Sequence, residues 1–273
     1  MYGQFYRLKE EPFNITPDPR YWFVAAHHQE ALNYLLYGIR QRRGFILLTG
    51  EVGAGKTTLC RVLLDRLGDG FHTALILNPL LSETQLLRAA LAEFGITTKQ
   101  LDRLRCLEML NQFLLEVSAG GKDAVLIVDE AQDMPDKTLE MARLLSNLET
   151  ERQKLLQIVL VGQPELRDKL DKPKFRQLAQ RITVRYHLGK LSREETQDYL
   201  NHRLRVAGAD GQVSDVVRFD PEAVKEIYEF SGGTPRLINA VSDKALLAGY
   251  VYNTWQIDRG LVKTAIRELR EAG

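Results

Sequence analysis

One octapeptide limits the choices open to this chain of 273 residues more than any other stretch. Gly50-Glu51-Val52-Gly53-Ala54-Gly55-Lys56-Thr57 has the G-x-x-x-x-G-K-[ST] spacing of a phosphate-binding loop. Its flanks are the ones such a loop needs. The apolar run Phe45–Thr49 reads as a buried strand before it. After it, Lys56 to Leu67 places Leu59, Val62, Leu63 and Leu67 at helical spacing, with Gly68 as a stop. Glycines let the backbone bend so that successive N–H groups face phosphate oxygens, and the helix N-terminus adds partial positive charge. Lys56 is expected to reach the β- and γ-phosphates and the Thr57 hydroxyl to ligate Mg²⁺, with Thr58 completing the phosphate-side set. A chance glycine-rich turn does not account for both flanks.

A second element matches the first. Val125-Leu126-Ile127-Val128 is a buried-strand sequence that ends in Asp129-Glu130, the form of a Walker B element. In open α/β sheets ligands bind at the carboxyl ends of strands, so these two acids are expected beside the phosphate loop. Asp129 is the candidate for the Mg²⁺ shell and Glu130 for orienting and polarising the attacking water. On its own, an apolar run ending in Asp-Glu also describes a strand meeting a surface loop. The expected ligands are ATP or ADP with Mg²⁺.

The rest of the chain supplies the frame for that pair. Apolar runs at Phe45–Thr49, Thr73–Leu77, Ala124–Val128, Gln157–Val161 and Ile182–Tyr186 predict five strands. All but the last are near-continuously apolar, as in a parallel sheet covered on both faces. Ser82-Glu83-Thr84-Gln85 reads as a capping box opening a helix through Phe94, with Gly95 behind it, and Asp136 through Leu148 predicts another helix. Strand and helix in alternation argue for an α/β sandwich. After Gly189 the pattern turns helical, without a strand signal. Ser192-Arg193-Glu194-Glu195 is a second capping box, and Asp220-Pro221 is a helix start with proline at its first position. Two more helical stretches lie near Leu237–Leu247 and Leu261–Leu269, and Gly208–Val217 reads as an exposed loop. The expected division is an α/β nucleotide-binding domain over 1–190 and a helical lid over 191–273.

Composition excludes several other classes. The balance of 37 Lys plus Arg against 36 Asp plus Glu gives no bulk attraction to nucleic acid or anionic membrane. No segment approaches the ~20 apolar residues that span a bilayer, and Met1–Phe13 lacks a signal-peptide core. The two cysteines, Cys60 and Cys106, have no metal or redox spacing and read as reduced thiols of a cytosolic protein. The five histidines show no ligand spacing either.

Three further polar positions are candidates. Gln163 follows the fourth strand and is placed to touch the γ-phosphate or the water; a turn residue bonded to its own backbone is the plain alternative. Arg176 and Arg181 precede the fifth strand, where an arginine can stabilise transition-state charge within the chain or on a neighbour's nucleotide. Arginines of a solvated helix face, paired with acids, are the commoner case. Arg236 opens a helix after Gly232-Gly233-Thr234-Pro235 and is a candidate for reaching the phosphates.

Taken in order, these motifs resemble AAA+ ATPases, with a five-stranded parallel sheet sandwiched by helices and a C-terminal helical lid. One branch matches more closely. Phe5-Tyr6-Arg7-Leu8-Lys9-Glu10-Glu11-Pro12-Phe13, Asp18-Pro19-Arg20, Gly50-Glu51-Val52-Gly53, Asp129-Glu130-Ala131-Gln132, Val161-Gly162-Gln163-Pro164-Glu165-Leu166 and Gln180-Arg181-Ile182 resemble the ExeA/GspA family along essentially the whole chain. That family serves bacterial secretion or pilus assembly, including type II secretion and MSHA-type pilus biogenesis. The resemblance implies an ATP-hydrolysing protein that assists an envelope complex, forms ATP-dependent homo-oligomers, and works in the cytoplasm or at the inner membrane through a partner. It implies Pro12 and Phe13 beside the adenine, Gln163 as sensor 1, Arg181 as arginine finger and Arg236 as sensor 2. AAA+ proteins more often carry Asn or Thr at sensor 1, and Arg176 is a rival for the finger. The family's larger members carry a membrane segment and a periplasmic peptidoglycan-binding region, so a short, MshM-like member or a chain with its anchor beyond Gly273 is expected.

Two other classes were open to the sequence. Transposition regulators of the same AAA+ branch are DNA-associated ATP switches, but near-zero net charge and the lack of a dense Lys/Arg stripe among aromatics count against DNA as a partner. A nucleotide-gated scaffold with little turnover is the other.

Overall fold

The strands form where burial leaves their sequences few alternatives. A computed structural model describes residues 2–97, 102–151, 153–208 and 217–271. The chain opens with a single helical turn, α1 (Tyr2–Phe5), and a longer helix, α2 (Ala26–Arg40). Then come β1 (Phe45–Gly50), α3 (Lys56–Leu67), β2 (Phe71–Ile76), α4 (Glu83–Glu93), α5 (Arg103–Ala119) and β3 (Asp123–Val128). After these run α6 (Asp136–Leu145), β4 (Leu156–Gly162), α7 (Pro164–Leu170), α8 (Arg176–Arg181) and β5 (Ile182–Leu188). All five expected strands are present, in one parallel sheet ordered β2-β3-β4-β1-β5.

Position in the sheet explains the side-chain patterns. β1 and β4 are buried at every residue and β3 at all but its first, because central strands have both faces covered. β5 lies at an edge and alternates buried with exposed residues. Leu86, Leu87, Leu91, Leu110, Leu114, Leu139 and Met141, from helices α4 to α6, close over one face in a continuous core. Each fully buried leucine of this kind contributes roughly 1.5–3 kcal/mol of transfer free energy. Cys60 and Cys106 are both buried and unbonded to each other.

Local chemistry sets several helix starts. Ser82 accepts from the Gln85 N–H while the Gln85 side chain accepts from the Ser82 N–H, the capping box expected there, and Ser192 with Glu195 repeats it. α6 ends at Leu145, three residues short of the sequence expectation, and a turn carries Ser146 and Asn147.

Contacts divide the chain into two units. Residues 26–52 and 59–188 form the α/β unit; residues 1–25, 53–58 and 189–273 form the other. The helical unit contains α9 (Arg193–Ala207), β6 (Arg218–Phe219), α10 (Pro221–Ser231), α11 (Pro235–Val251), β7 (Gln256–Ile257) and α12 (Arg259–Glu271). The expected α/β span of 1–190 thus loses its N-terminal segment to the helices. Aromatic burial is the cause. Tyr2, Tyr6, Leu8, Phe13 and Tyr21 share one core with Leu200, Ile227, Ile238 and Leu246. The Tyr6 hydroxyl donates to the Leu246 carbonyl at 3.0 Å, and Leu8 bridges to Gly208.

Two details of this unit differ from the sequence reading. β6 and β7 pair in parallel, Arg218 with Gln256 and Phe219 with Ile257; strands of two residues leave no periodicity to read. Asp220 stands at the N-cap of α10, but its carboxylate accepts from the Gln256 amide at 2.8 Å instead of capping. Of the loop expected at 208–217, residues 209–216 lie outside the described residues, and both Gly208 and Val217 at its ends are buried.

Candidate nucleotide site

The strand order gathers the polar residues at one sheet edge. β4 separates β1 from β3, with Thr49 level with Gly162 and Leu160 level with Val128. At their carboxyl ends β1 releases Gly50 into the phosphate loop, β4 releases Gln163, and β3 releases Asp129 and Glu130. Neighbouring strands are about 4.8 Å apart, so the ends of β1 and β3 lie about 10 Å apart with Gln163 between them. A topological switch of this kind opens a crevice at the carboxyl edge.

The two acids are held differently. Asp129 is 2% exposed; its N–H donates to the Ile76 carbonyl at 2.8 Å, prolonging the ladder with β2, and its Oδ1 accepts from the Glu130 N–H at 2.9 Å. Glu130 has φ 50° and ψ 37°, a left-handed conformation unusual for a residue with a side chain. The chain turns sharply there into a 3₁₀ turn, Ala131–Asp133. The Glu130 Oε2 accepts from Gln132 Nε2 at 2.8 Å and from Gln163 Nε2 at 3.3 Å. The structure therefore brings Glu130 and Gln163 together, and Gln163 does not merely serve its own turn.

The phosphate loop runs into α3 as its motif requires. Gly53 and Gly55 have φ of 78° and 94°, Ala54 is fully buried, and Lys56 is 5% exposed at the first residue of α3. Arg236, the second residue of α11, donates its backbone N–H to the Gly53 carbonyl at 3.2 Å, while the residue itself is exposed.

Other expected residues lie elsewhere. Arg181 precedes Ile182, which pairs with Phe45 at the amino end of β1, so it stands at the sheet edge opposite Gly50. Its Nη1 donates to Ser146 Oγ at 2.7 Å and to Asn147 Oδ1. Arg176 is exposed at the start of α8. Phe13 is 2% exposed and packs edge-on to Phe219, with ring centroids 6.0 Å apart, and Pro12 accepts through its carbonyl from Arg203. The ring of Phe13 is thus a core element of the helical unit and not an open surface for a base.

Two residues near the acids were not among the expected site residues. Gln132 accepts the Gln163 N–H through Oε1 at 3.1 Å while donating to Glu130. Lys169 donates to the Gln132 carbonyl at 3.1 Å and to that of Met134, and burial holds its ammonium below the usual lysine range. Among the described residues no group of three or more His, Cys, Asp or Glu is arranged to hold a metal, and no helix is long and apolar enough to cross a membrane.

Comparison with known proteins agrees with this fold. The family AAA_22, an AAA domain, matches residues 39–170, from the end of α2 through α7. General secretion pathway protein A of Aeromonas hydrophila is 45% identical over 270 residues, 98% of this chain. This chain carries an AAA domain. The likeness to the ExeA/GspA family read from the motifs is borne out by that relative. The chain spans about half the relative's length, 48%. Solved structures align along nearly all of this chain. The ORC2 protein of Aeropyrum pernix, in ADPNP–ADP complexes, aligns with TM-score 0.69 and 17% identity, covering 95% of this chain and 72% of its own. Cdc6p of Pyrobaculum aerophilum aligns with TM-score 0.72 and 18% identity, covering 94% and 70%. At such identities the alignments establish the fold, an α/β P-loop architecture.

Proposed function

We propose that this AAA protein binds ATP with Mg²⁺ and hydrolyses it, and that it does so in the service of a bacterial secretion or pilus complex. The observation that carries the hydrolytic reading is the meeting of Glu130 with Gln163 at the carboxyl edge of the sheet, where the strands ending in Gly50, Val128 and Gly162 lie side by side. A binding module needs no strained carboxylate there.

The roles follow from chemistry. The backbone N–H groups of Gly50, Glu51, Val52, Gly53, Ala54 and Gly55, with those of Thr57 and Thr58, cradle the phosphates, and Lys56 neutralises the β- and γ-oxygens. The Thr57 hydroxyl and the Asp129 carboxylate are hard oxygen donors of the kind Mg²⁺ takes, and few protein ligands suffice because Mg²⁺ keeps most of its waters. Bound there, the cation would neutralise charge on the phosphate oxygens. Glu130 orients the water and takes its proton, and Gln163 supports both. Arg236 faces the phosphates from the start of α11, and Pro12 and Phe13 border the base through their backbone.

Arg181 acts on a neighbour's nucleotide. A strand of seven residues separates it from its own crevice, about 20 Å at the usual rise. A finger so placed makes turnover depend on assembly of several copies, a homo-oligomer. The secretion assignment rests on the relative's name, and on this reading the chain works at the cytoplasmic side of the inner membrane beside its partners.

Replacing Glu130 by Gln tests the reading. Hydrolysis should fall by about a hundredfold or more while ATP affinity stays near the parent's, since a general base contributes ~10²–10⁴ to rate and little to binding. Equal turnover in the two proteins would leave a nucleotide-gated scaffold as the better description.

A further inference from the structure

We propose that Gln132 is a positioning residue for the water-activating carboxylate; the inference rests on the hydrolytic reading of Glu130. Two hydrogen bonds and one close backbone approach converge on its side chain. Its amide uses both ends: Nε2 donates to Glu130 Oε2 at 2.8 Å, and Oε1 accepts the Gln163 N–H at 3.1 Å. That polarity admits one orientation of the amide, because a carboxylate only accepts and a backbone N–H only donates. Gln132 thereby joins the turn after β3 to the turn after β4, the two that carry the acid and its polar neighbour.

The surroundings are shaped to keep it there. Gly162 ends β4 directly beneath the amide; a Cβ at that position would stand 2.7 Å from Gln132 Oε1 and 2.8 Å from Leu166 Cδ2. Any larger residue would displace the bridge. From above, Lys169 of α7 donates to the carbonyls of Gln132 and Met134, pinning the backbone of the turn. Gln132 is thus fixed by its main chain, its side chain and the absence of a neighbour's Cβ.

The consequence falls on Glu130. A left-handed residue with a side chain stores backbone strain and persists only where its surroundings hold it. Here both side-chain bonds of Glu130 fall on one oxygen, Oε2, which presents Oε1 to a water. Without Gln132, only the longer bond from Gln163 would orient the carboxylate, and the Gln163 N–H would lose its acceptor. The acid would remain and its aim would be lost.

ATP turnover and binding of a fluorescent ATP analogue, measured on the parent, Q132M, Q132E and E130Q, decide the matter. Q132M keeps the length of the side chain and removes both bonds. Its kcat should fall by roughly tenfold or more with nucleotide affinity within about threefold, the range seen when an outer-shell partner is removed. Q132E keeps the acceptor toward Gln163 but replaces the donor by a second negative charge, so it should fall further than Q132M. Melting temperatures near the parent's certify the fold, and should Q132E fail to fold, Q132M alone carries the test. If both variants turn over at the parental rate while E130Q is inactive, the positioning role is wrong and the hydrolytic reading stands. A loss confined to affinity would overturn it equally. If E130Q matches the parent, the hydrolytic reading falls and takes this inference with it.

Discussion

The backbone N–H of Arg236 donates to the carbonyl of Gly53 at 3.2 Å, so the first turn of α11 is hydrogen-bonded to the phosphate loop itself. The approach is close enough to dictate the residue. A Cβ on Gly53 would lie 2.5 Å from the Cβ of Arg236, and the glycine's φ of 78° strains any side chain. G53A should therefore cost about 1–3 kcal/mol of stability and weaken ATP binding, because the loop must shift or α11 must withdraw. Thermal unfolding and nucleotide titration check both effects. Gly70 provides the control: no heavy atom lies within 4 Å of its added Cβ. G70A should melt near the parent.

Arg203 supports a second prediction. It is 7% exposed, donates to the carbonyls of Pro12 and Asn14, and lies 4.3 Å from the Tyr21 ring. One guanidinium thus ties three points of the N-terminal segment to α9. Lysine keeps the charge but loses the planar fork and most of the stacking, so R203K should be nearly as damaging as R203M. Each should lower stability by about 2–4 kcal/mol, through the orphaned buried carbonyl of Pro12 and lost packing. Limited proteolysis should cut within residues 10–25 of the variants sooner than in the parent. Cleavage at parental rates would show that the aromatic core, not Arg203, retains the segment.

Much of this arrangement was legible in the sequence, for reasons that also mark the limits. β1, β3 and β4 announce themselves because strands covered on both faces are near-continuously apolar, and the phosphate loop because its glycines serve backbone geometry that few other residues tolerate. The two capping boxes are local and were readable as such. α5 was not: its buried stripe of Cys106, Leu110, Leu114 and Val117 is narrow, and exposed Leu104 and Leu115 blur it. The placement of residues 1–25 with the helices depends on partners about 200 residues away, such as Leu246 for Tyr6, which no local pattern reports. Gln132 shows the same limit at the site. Its residue type is visible, but its bridge to Gln163 requires β4 to lie beside β3.

Tyr6 gives the helical unit an alkaline transition of known sign. Burial raises its hydroxyl from 10.0 to about 12, and the protonated form donates to the Leu246 and Thr254 carbonyls. A group whose folded pKa lies above its unfolded value favours folding while protonated. Its contribution is complete below pH 10.0 and is lost as pH rises to about 12. Melting temperature should fall across that window, and Y6F should flatten this part of the fall while starting from a less stable protein at neutral pH. A parent and Y6F that decline in parallel from pH 10 to 12 would assign the transition to other groups.

The place of Arg181 at the opposite sheet edge predicts complementation between two inactive proteins. R181A retains Glu130 but offers no finger to a neighbour, and E130Q retains Arg181 but cannot activate water. Each alone should hydrolyse ATP slowly, with R181A reduced by about 10³-fold if its role is transition-state stabilisation. Mixed in equal amounts and allowed to assemble, some interfaces join an intact Glu130 to an intact Arg181, so activity should reappear and depend on total protein concentration. Arg181 also bonds Ser146 and Asn147, so R181A should lose a little stability; that loss cannot produce recovery on mixing. R176A tests the rival, because Arg176 is exposed on the preceding helix and is equally available to a neighbour. R176A should keep parental turnover. If R176A is the protein that E130Q rescues, and R181A is not, the finger belongs to Arg176 and Arg181 merely braces the end of α6.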